Sequence, residues 1–172
     1  HIIGPLWALS EELYELTRGA FDPTVSPLVE LWGFGLSKRG EVTEADVDSV
    51  LAFTGMRPDR FDLNEEEVDG YYVATWVRKG DARAALDFNA VAQGYTVDLL
   101  LEALRERGID NAMVEVGGEV VCRGVNAAGE PWRIAVDRPI VGSGAGDRVL
   151  ETVVSVQDRA ICTSGSYRKF YE

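Results

Sequence analysis

Apolar positions in "PLWALSEELYELTRG", residues 5–19, fall at Leu6, Leu9, Leu13 and Leu16, the spacing of one face of a helix. Gly19 follows, where a glycine can take the left-handed turn that ends a helix. The next stretch, "FDPTVSPLVELWGFG", breaks that period with two prolines, recovers it from Leu28 to Trp32, and breaks it again with two glycines. "TEADVDSVLAFTG" restores the helical pattern: Thr43 is a natural N-cap, and Glu44 and Asp46 put negative charge in the first turn, where the helix dipole favours it. From Arg60 the period falls to two. "RFDLN" and "GYYVATWVRKG" predict strands joined through an acidic turn, and "AALDF" predicts a short strand. Beyond the central helix, "NAMVEVGGEVVCRG" predicts two strands broken at Gly117-Gly118. "PWRIAVDR", "VLETVVSVQD" and "RAICTSG" add three more, and "VGSGAGD" reads as a flexible loop. Helices first, then mainly consecutive strands around one helix, predict an α+β fold with a largely antiparallel sheet and flanking helices.

The central helix lies in "AALDFNAVAQGYTVDLLLEALRERGI", with Val97, Leu100, Leu101 and Leu104 as its expected buried stripe. Asn89 is the expected N-cap and Asp87 closes the strand before it. The first amides of such a helix lack intrahelical partners, and a strand-to-helix turn suits a phosphate or a polar ring. Gly94 in the early turns costs about 1 kcal/mol relative to alanine, which close approach of a ligand or another strand would offset. Each feature also has a purely structural reading. Asn89 caps, Gly94 lets a helix pack on a sheet, and Asp87 is a solvated strand end. Asp22 before Pro23 is turn chemistry, "VEVGGEV" a bulge or tight crossing, and "TSGS" a loop.

Composition narrows the chemistry. The chain has 172 residues, 46% of them hydrophobic, which fits a globular domain. Lys and Arg number 17 against 29 Asp and Glu, a net charge of −12. That balance argues against nucleic acid and anionic membrane surfaces as partners. It leaves room for a small anionic ligand held by backbone amides or through a bound cation. The only histidine is His1, so a Ser-His-Asp triad or a His-rich zinc site cannot be assembled from these residues. A metal here is expected to be a hard, oxygen-liganded ion such as magnesium or calcium. Cys122 and Cys162 lack CxxC spacing; they are expected to be two buried thiols, with a disulfide as the alternative in an exported protein. No apolar run is long enough to span a bilayer. The chain opens on "HIIGPLW" and stops at "YRKFYE", and residues 1–172 are expected to be part of a larger domain.

Four motifs in order resemble the FAD:protein FMN transferases, the ApbE-type proteins. They are "GAFDPTVSPLVELWGFG" (19–35), "LDFNAVAQGYTVD" (86–98), "VEVGGEV" (114–120) and "ICTSGSYRKFYE" (161–172). The family pattern runs GAFDPTVGPL…LWGFG, LDLGAIAKGYAVD, LVNLGGD and ATSGDYERFFE. The resemblance implies a Mg²⁺-dependent enzyme that cleaves the FAD pyrophosphate and transfers FMN to a threonine of a target flavoprotein. Some members hydrolyse FAD to FMN and AMP. By position, Ala20, Phe21, Asp22, Asp87 and Gln93 would contact FAD. Gly118, Thr163 and Ser164 would form part of its wall, and Ala90 would offer a backbone carbonyl to Mg²⁺. No catalytic residue is assigned.

The departures are Gln93 for lysine, Ser26 for glycine, Asn89 for a small residue and Glu119 for aspartate. The family's N-terminal strand, its H-x-x-DPRTG segment and a C-terminal Asp and Thr that ligate Mg²⁺ have no counterpart in these residues. They therefore read as the central portion of one ApbE-like domain, expected to be inactive or weak alone. An FAD-binding protein without catalysis, an FAD pyrophosphatase and an interaction domain that kept only the fold are the rival readings. Family members are often lipid-anchored in the bacterial cell envelope, and a cytoplasmic location stays open as well.

Overall fold

The computed structural model describes residues 2–36, 40–140 and 149–165. It divides into two compact units, residues 1–92 and 93–172.

The first unit opens with α1 (Ile3–Leu16). Its buried face is Gly4, Leu6, Trp7 and Ser10, while Leu9 and Leu13 are half-buried and Leu16 is 76% exposed. The expected leucine stripe is therefore rotated toward Trp7. An indole has more apolar surface to bury than any single leucine, and it sets the face. Trp7 meets the Phe61 ring edge-on at 6.0 Å between centroids, and both pack with Ala84, Phe53, Met56, Leu63, Val77, Leu86 and Phe88. After Leu16 the chain makes a Schellman turn, Arg18 N donating to Glu15 O at 3.0 Å and Gly19 N to Tyr14 O at 2.8 Å. Arg18, at φ 55°, takes the first left-handed position and Gly19 the second.

A second turn of the same kind ends α2 (Ser26–Leu31), with Gly33 at φ 69° and Phe34 N donating to Val29 O at 2.9 Å. This accounts for the "WGFG" run. Thr43 caps α3 (Glu44–Leu51) as expected, in a capping box with Asp46.

Strands β1 (Phe61–Val68) and β2 (Tyr71–Lys79) form an antiparallel hairpin. The expected acidic turn is corrected here. Glu65 to Val68 stay in the strand, and the turn is Asp69-Gly70, with φ 52° and 81°, the type I′ geometry that matches strand twist. A register shift between Asn64 and Glu65 marks a bulge. "AALDF" is also corrected: residues 84–88 are not a strand. In that stretch one inter-segment backbone bond is formed, Asp87 N to Pro23 O at 2.6 Å, and a single bond is not a ladder.

Helix α4 (Asn89–Arg105) runs from the first unit into the second. Val91 and Val97 are buried, and Leu101 and Leu104 are half-buried. Leu100, expected inside, is 45% exposed; at about 100° per residue it lies some 60° around the axis from Val97, at the edge of the stripe.

In the second unit, β3 (Ala112–Val116), β4 (Glu119–Arg123) and β7 (Arg159–Ile161) form an antiparallel sheet in the order β3-β4-β7. Strands β5 (Trp132–Asp137) and β6 (Leu150–Val156) pair separately. Val120, Cys122 and Val156 form the core, flanked by Trp132, Ile134 and Ile161. The "VGSGAGD" loop, residues 141–147, lies outside the described residues.

The fold is α+β, with described pairings all antiparallel and split among three small sheets. No described helix is long and apolar enough to cross a membrane. Both cysteines are free, Cys122 buried and Cys162 exposed, which corrects the expectation of two buried thiols. Cys162 stands just past the end of β7, where the sheet no longer covers it.

Candidate functional site

In the first unit the expected residues gather around two carboxylates. Asp22 Oδ1 accepts from Thr24 N at 2.8 Å and Thr24 Oγ1 at 2.6 Å. Thr24 is fully buried, and its hydroxyl accepts from Gly55 N at 2.5 Å. Phe21 N donates to Thr17 Oγ1 at 3.0 Å, so the "AFDPT" segment is tied down on both sides. Ala20 is exposed, and Phe21 and Asp22 are half-buried.

The Pro23 carbonyl takes the Asp87 amide, which brings the Asp87 backbone beside the residue that follows Asp22. Asp87 Oδ1 then accepts from Asn89 N at 2.7 Å. This corrects the capping assignment. Asn89 is the first helical residue, Phe88 O accepts the first intrahelical bonds from Val91 and Ala92, and the capping side chain is Asp87. Asn89 and Ala90 are exposed in the first turn.

Asp22 and Asp87 thus each commit Oδ1 to the backbone, and their Oδ2 atoms take no hydrogen bond from a described residue. Two such oxygens and a helix N-terminus suit a hard cation and an anionic ligand together. Among the described residues no group of three His, Cys, Asp or Glu side chains is gathered to hold a metal. Mg²⁺ asks for fewer than three such side chains, since it keeps several waters and uses one or two carboxylates with substrate phosphates.

In the second unit Gly117 (φ 62°) and Gly118 (φ 99°) form the two-residue turn between β3 and β4, so "VEVGGEV" is a hairpin. A Cβ on Gly117 would run into the side-chain amide of Gln93, whereas one on Gly118 would meet nothing within 4 Å. A Cβ on Gly94 would also meet nothing within 4 Å, so no described neighbour requires glycine there. The ladder between β4 and β7 ends at Val120 opposite Ile161. Gly118 and the exposed Thr163 and Ser164 therefore leave the sheet at the same end.

Two residues at that end went unnoticed as a pair in the sequence. The Glu119 carboxylate accepts from the Cys162 thiol and raises its pKa; burial and the charges of Glu119 and Asp98 add to the rise. Glu119 Oε2 is buried without a hydrogen-bond partner among the described residues. The available signal was their flanking position, Glu119 after the glycine pair and Cys162 before "TSG".

Three small antiparallel sheets with helices beside them define an α+β domain. The profile of the ApbE family matches residues 3–172, and the chain belongs to that family. The FAD:protein FMN transferase of Vibrio cholerae is 37% identical over 161 residues, 91% of this chain and 43% of that protein. Its Haemophilus influenzae counterpart is 34% identical over 93% of this chain and 44% of its own length. Among solved structures, the flavin transferase ApbE from Vibrio cholerae matches with TM-score 0.72 and 35% identity, over 98% of this chain and 50% of that one. The apo form of Pseudomonas stutzeri flavinyl transferase ApbE matches with TM-score 0.73 and 31% identity, over 99% and 49%. The chain spans about half the length of the curated relatives it matches.

Proposed function

We propose that these residues form part of the active site of a Mg²⁺-dependent enzyme that cleaves FAD and transfers FMN to a threonine of a target flavoprotein. The observation that carries the reading is the 37% identity, over 91% of the chain, to a protein named for that transfer. Asp22 and Asp87 support it with carboxylate oxygens left over after their backbone bonds.

In this reading Ala20, Phe21, Asp22 and Asp87 line the FAD site, with Gln93, Gly118, Thr163 and Ser164 as further contacts. Ala90 offers its backbone carbonyl to Mg²⁺. Bound there, the metal would supply the positive charge that phosphoryl transfer needs on a pyrophosphate. The residues themselves bind and orient. Thr24 fixes the Asp22 carboxylate, and Asp87 joins the "AFDPT" segment to the start of α4. Phosphoryl transfer depends on such positioning more than on a protein nucleophile.

The neutral amide of Gln93 favours a second reading, FAD binding or hydrolysis to FMN and AMP without protein transfer, because a charge-assisted bond is about twice as strong as a neutral one. Incubating the full-length protein with FAD, Mg²⁺ and an acceptor flavoprotein separates them. Covalent flavin on a threonine supports transfer, FMN and AMP alone support hydrolysis, and intact FAD supports binding only.

A further inference from the structure

We propose that the cavity at the open end of the β1–β2 hairpin binds a small oxyanion, the phosphate group of the free anion or of a small ester, through Arg60 and Lys79. It does not depend on the flavin reading, and its residues are none of those placed at the candidate site. The cavity, about 410 Å³, lies within the first unit, and its lining includes Asp59, Arg60, Asp62, Arg78, Lys79 and Gly80. Charge pairing leaves two of its cations over. Arg57 binds Asp59 at 2.9 Å, Arg78 binds Asp62 at 2.8 Å and Arg83 binds Asp81 at 2.7 Å, so each neighbouring carboxylate has its own arginine. Arg60 forms no ion pair among the described residues, and Lys79 donates to a neutral acceptor, the Ala82 carbonyl, at 2.9 Å. The Asp59 and Asp81 carboxyls are held below their usual range first by hydrogen bonds from Arg57 and Arg83, with the Arg60 charge the smallest of the contributions. In a chain of net charge −12, two uncompensated cations on one cavity are a local exception.

Arg60 is also held in place without the partner its side chain needs. Its Nη1 is buried and has no hydrogen-bond acceptor among the described residues. Leaving a buried cationic donor unpaired is unfavourable. The backbone fixes the residue on both sides, Arg60 N donating to Arg57 O at 2.9 Å and Gly80 N donating to Arg60 O at 2.7 Å. Gly80 makes that approach possible. Its φ lies outside the left-handed region, yet a Cβ there would fall 1.9 Å from the Asp59 carbonyl oxygen, a backbone atom that cannot swing aside. An oxyanion in the cavity supplies an acceptor toward which the guanidinium can turn, and Lys79 keeps two further N–H groups for it. A phosphate ester carries about −1.5 to −2 at neutral pH and so matches two cations, whereas a carboxylate leaves one over.

The test is calorimetric titration of the full-length protein with inorganic phosphate and with methyl phosphate, without Mg²⁺ or FAD, for wild type, R60M and K79M. Wild type should bind phosphate, and each variant should lose about tenfold or more in affinity. Binding of methyl phosphate as well assigns the site to esters, and its exclusion assigns the site to the free anion. Thermal melting separates binding from folding. Without anion, R60M should melt no lower than wild type, because it removes an unpaired buried cation and keeps the Arg60 backbone bonds. Phosphate should raise the melting temperature of wild type and not that of R60M. A clearly lower melting temperature for anion-free R60M would show that the guanidinium serves the fold and overturn the proposal. Phosphate binding that survives in both variants would show an adventitious ion only, and no binding by wild type would overturn the proposal as well. Mg²⁺-dependent FAD binding should be equal in R60M and wild type, and its loss in R60M would place the cavity in the flavin site and contradict a separate one.

Discussion

Asp87 does two jobs that a single substitution would confuse. Its Oδ1 accepts from the Asn89 amide at 2.7 Å, and in the proposed site its other oxygen, which takes no hydrogen bond from a described residue, would face the ligand. Asp87→Asn keeps an acceptor for the amide and loses the charge, so stability should change by less than about 0.5 kcal/mol while Mg²⁺-dependent FAD binding falls at least tenfold. Asp87→Ala should lose the binding and about 1 kcal/mol of stability as well. Urea unfolding alongside FAD titration reads both, and equal stability loss in the two variants would contradict the division. Gly94 gives the converse case. With nothing within 4 Å of its Cβ position, Gly94→Ala should stabilise α4 by about 1 kcal/mol. Weaker FAD binding in that more stable variant would mark Gly94 as a ligand approach, and unchanged binding would show the glycine serves neither.

At the scale of elements, legibility followed how local the determining physics is. The Thr43 cap and the acidic first turn of α3 depend on residues at most three apart and were readable from sequence; their closing into a capping box with Asp46 is seen in the structure. The hairpin between β1 and β2 was readable as two strands, but the run "EEEVD" looked like a turn because acidic residues disfavour strands. The φ-positive pair Asp69-Gly70 decided the turn instead. "AALDF" fits a strand by composition, and it lacks a partner strand, which no local pattern can supply. The α1 face turns toward Trp7, whose size leucine spacing does not register. The capping box also carries a pH dependence. The Thr43 hydroxyl and then the Thr43 amide hold the Asp46 carboxyl below its usual range. A lowered pKa contributes stability above the unfolded value of about 3.9, lost as pH falls through the folded value. The wild type should therefore lose α3 stability on acidification below about pH 4, and Asp46→Asn should lose less across that window. Amide hydrogen exchange in α3 at pH 5 and pH 3 measures it, and identical pH responses would contradict the assignment.

Across the whole molecule, the sequence announced the fold class, the order of motifs and the two carboxylates more clearly than it announced how they are used. Asp22, Asp87 and the glycine pair were candidates from the start. That the Thr24 hydroxyl, which clamps Asp22, takes the Gly55 amide, and that the Asp87 amide bonds the Pro23 carbonyl, are contacts between segments that no short motif displays. The chain carries a net charge of −12, and its family matches concern proteins about twice its length. A pyrophosphate held by so acidic a chain would depend on a cation for its binding. The most direct measurement is an FAD fluorescence titration of the full-length protein with and without Mg²⁺, with products followed by chromatography. The account predicts binding that strengthens with Mg²⁺, Mg²⁺-dependent loss of intact FAD, and covalent flavin when an acceptor flavoprotein is supplied. Failure to bind FAD in the presence of Mg²⁺ would contradict it and leave these motifs serving the fold alone.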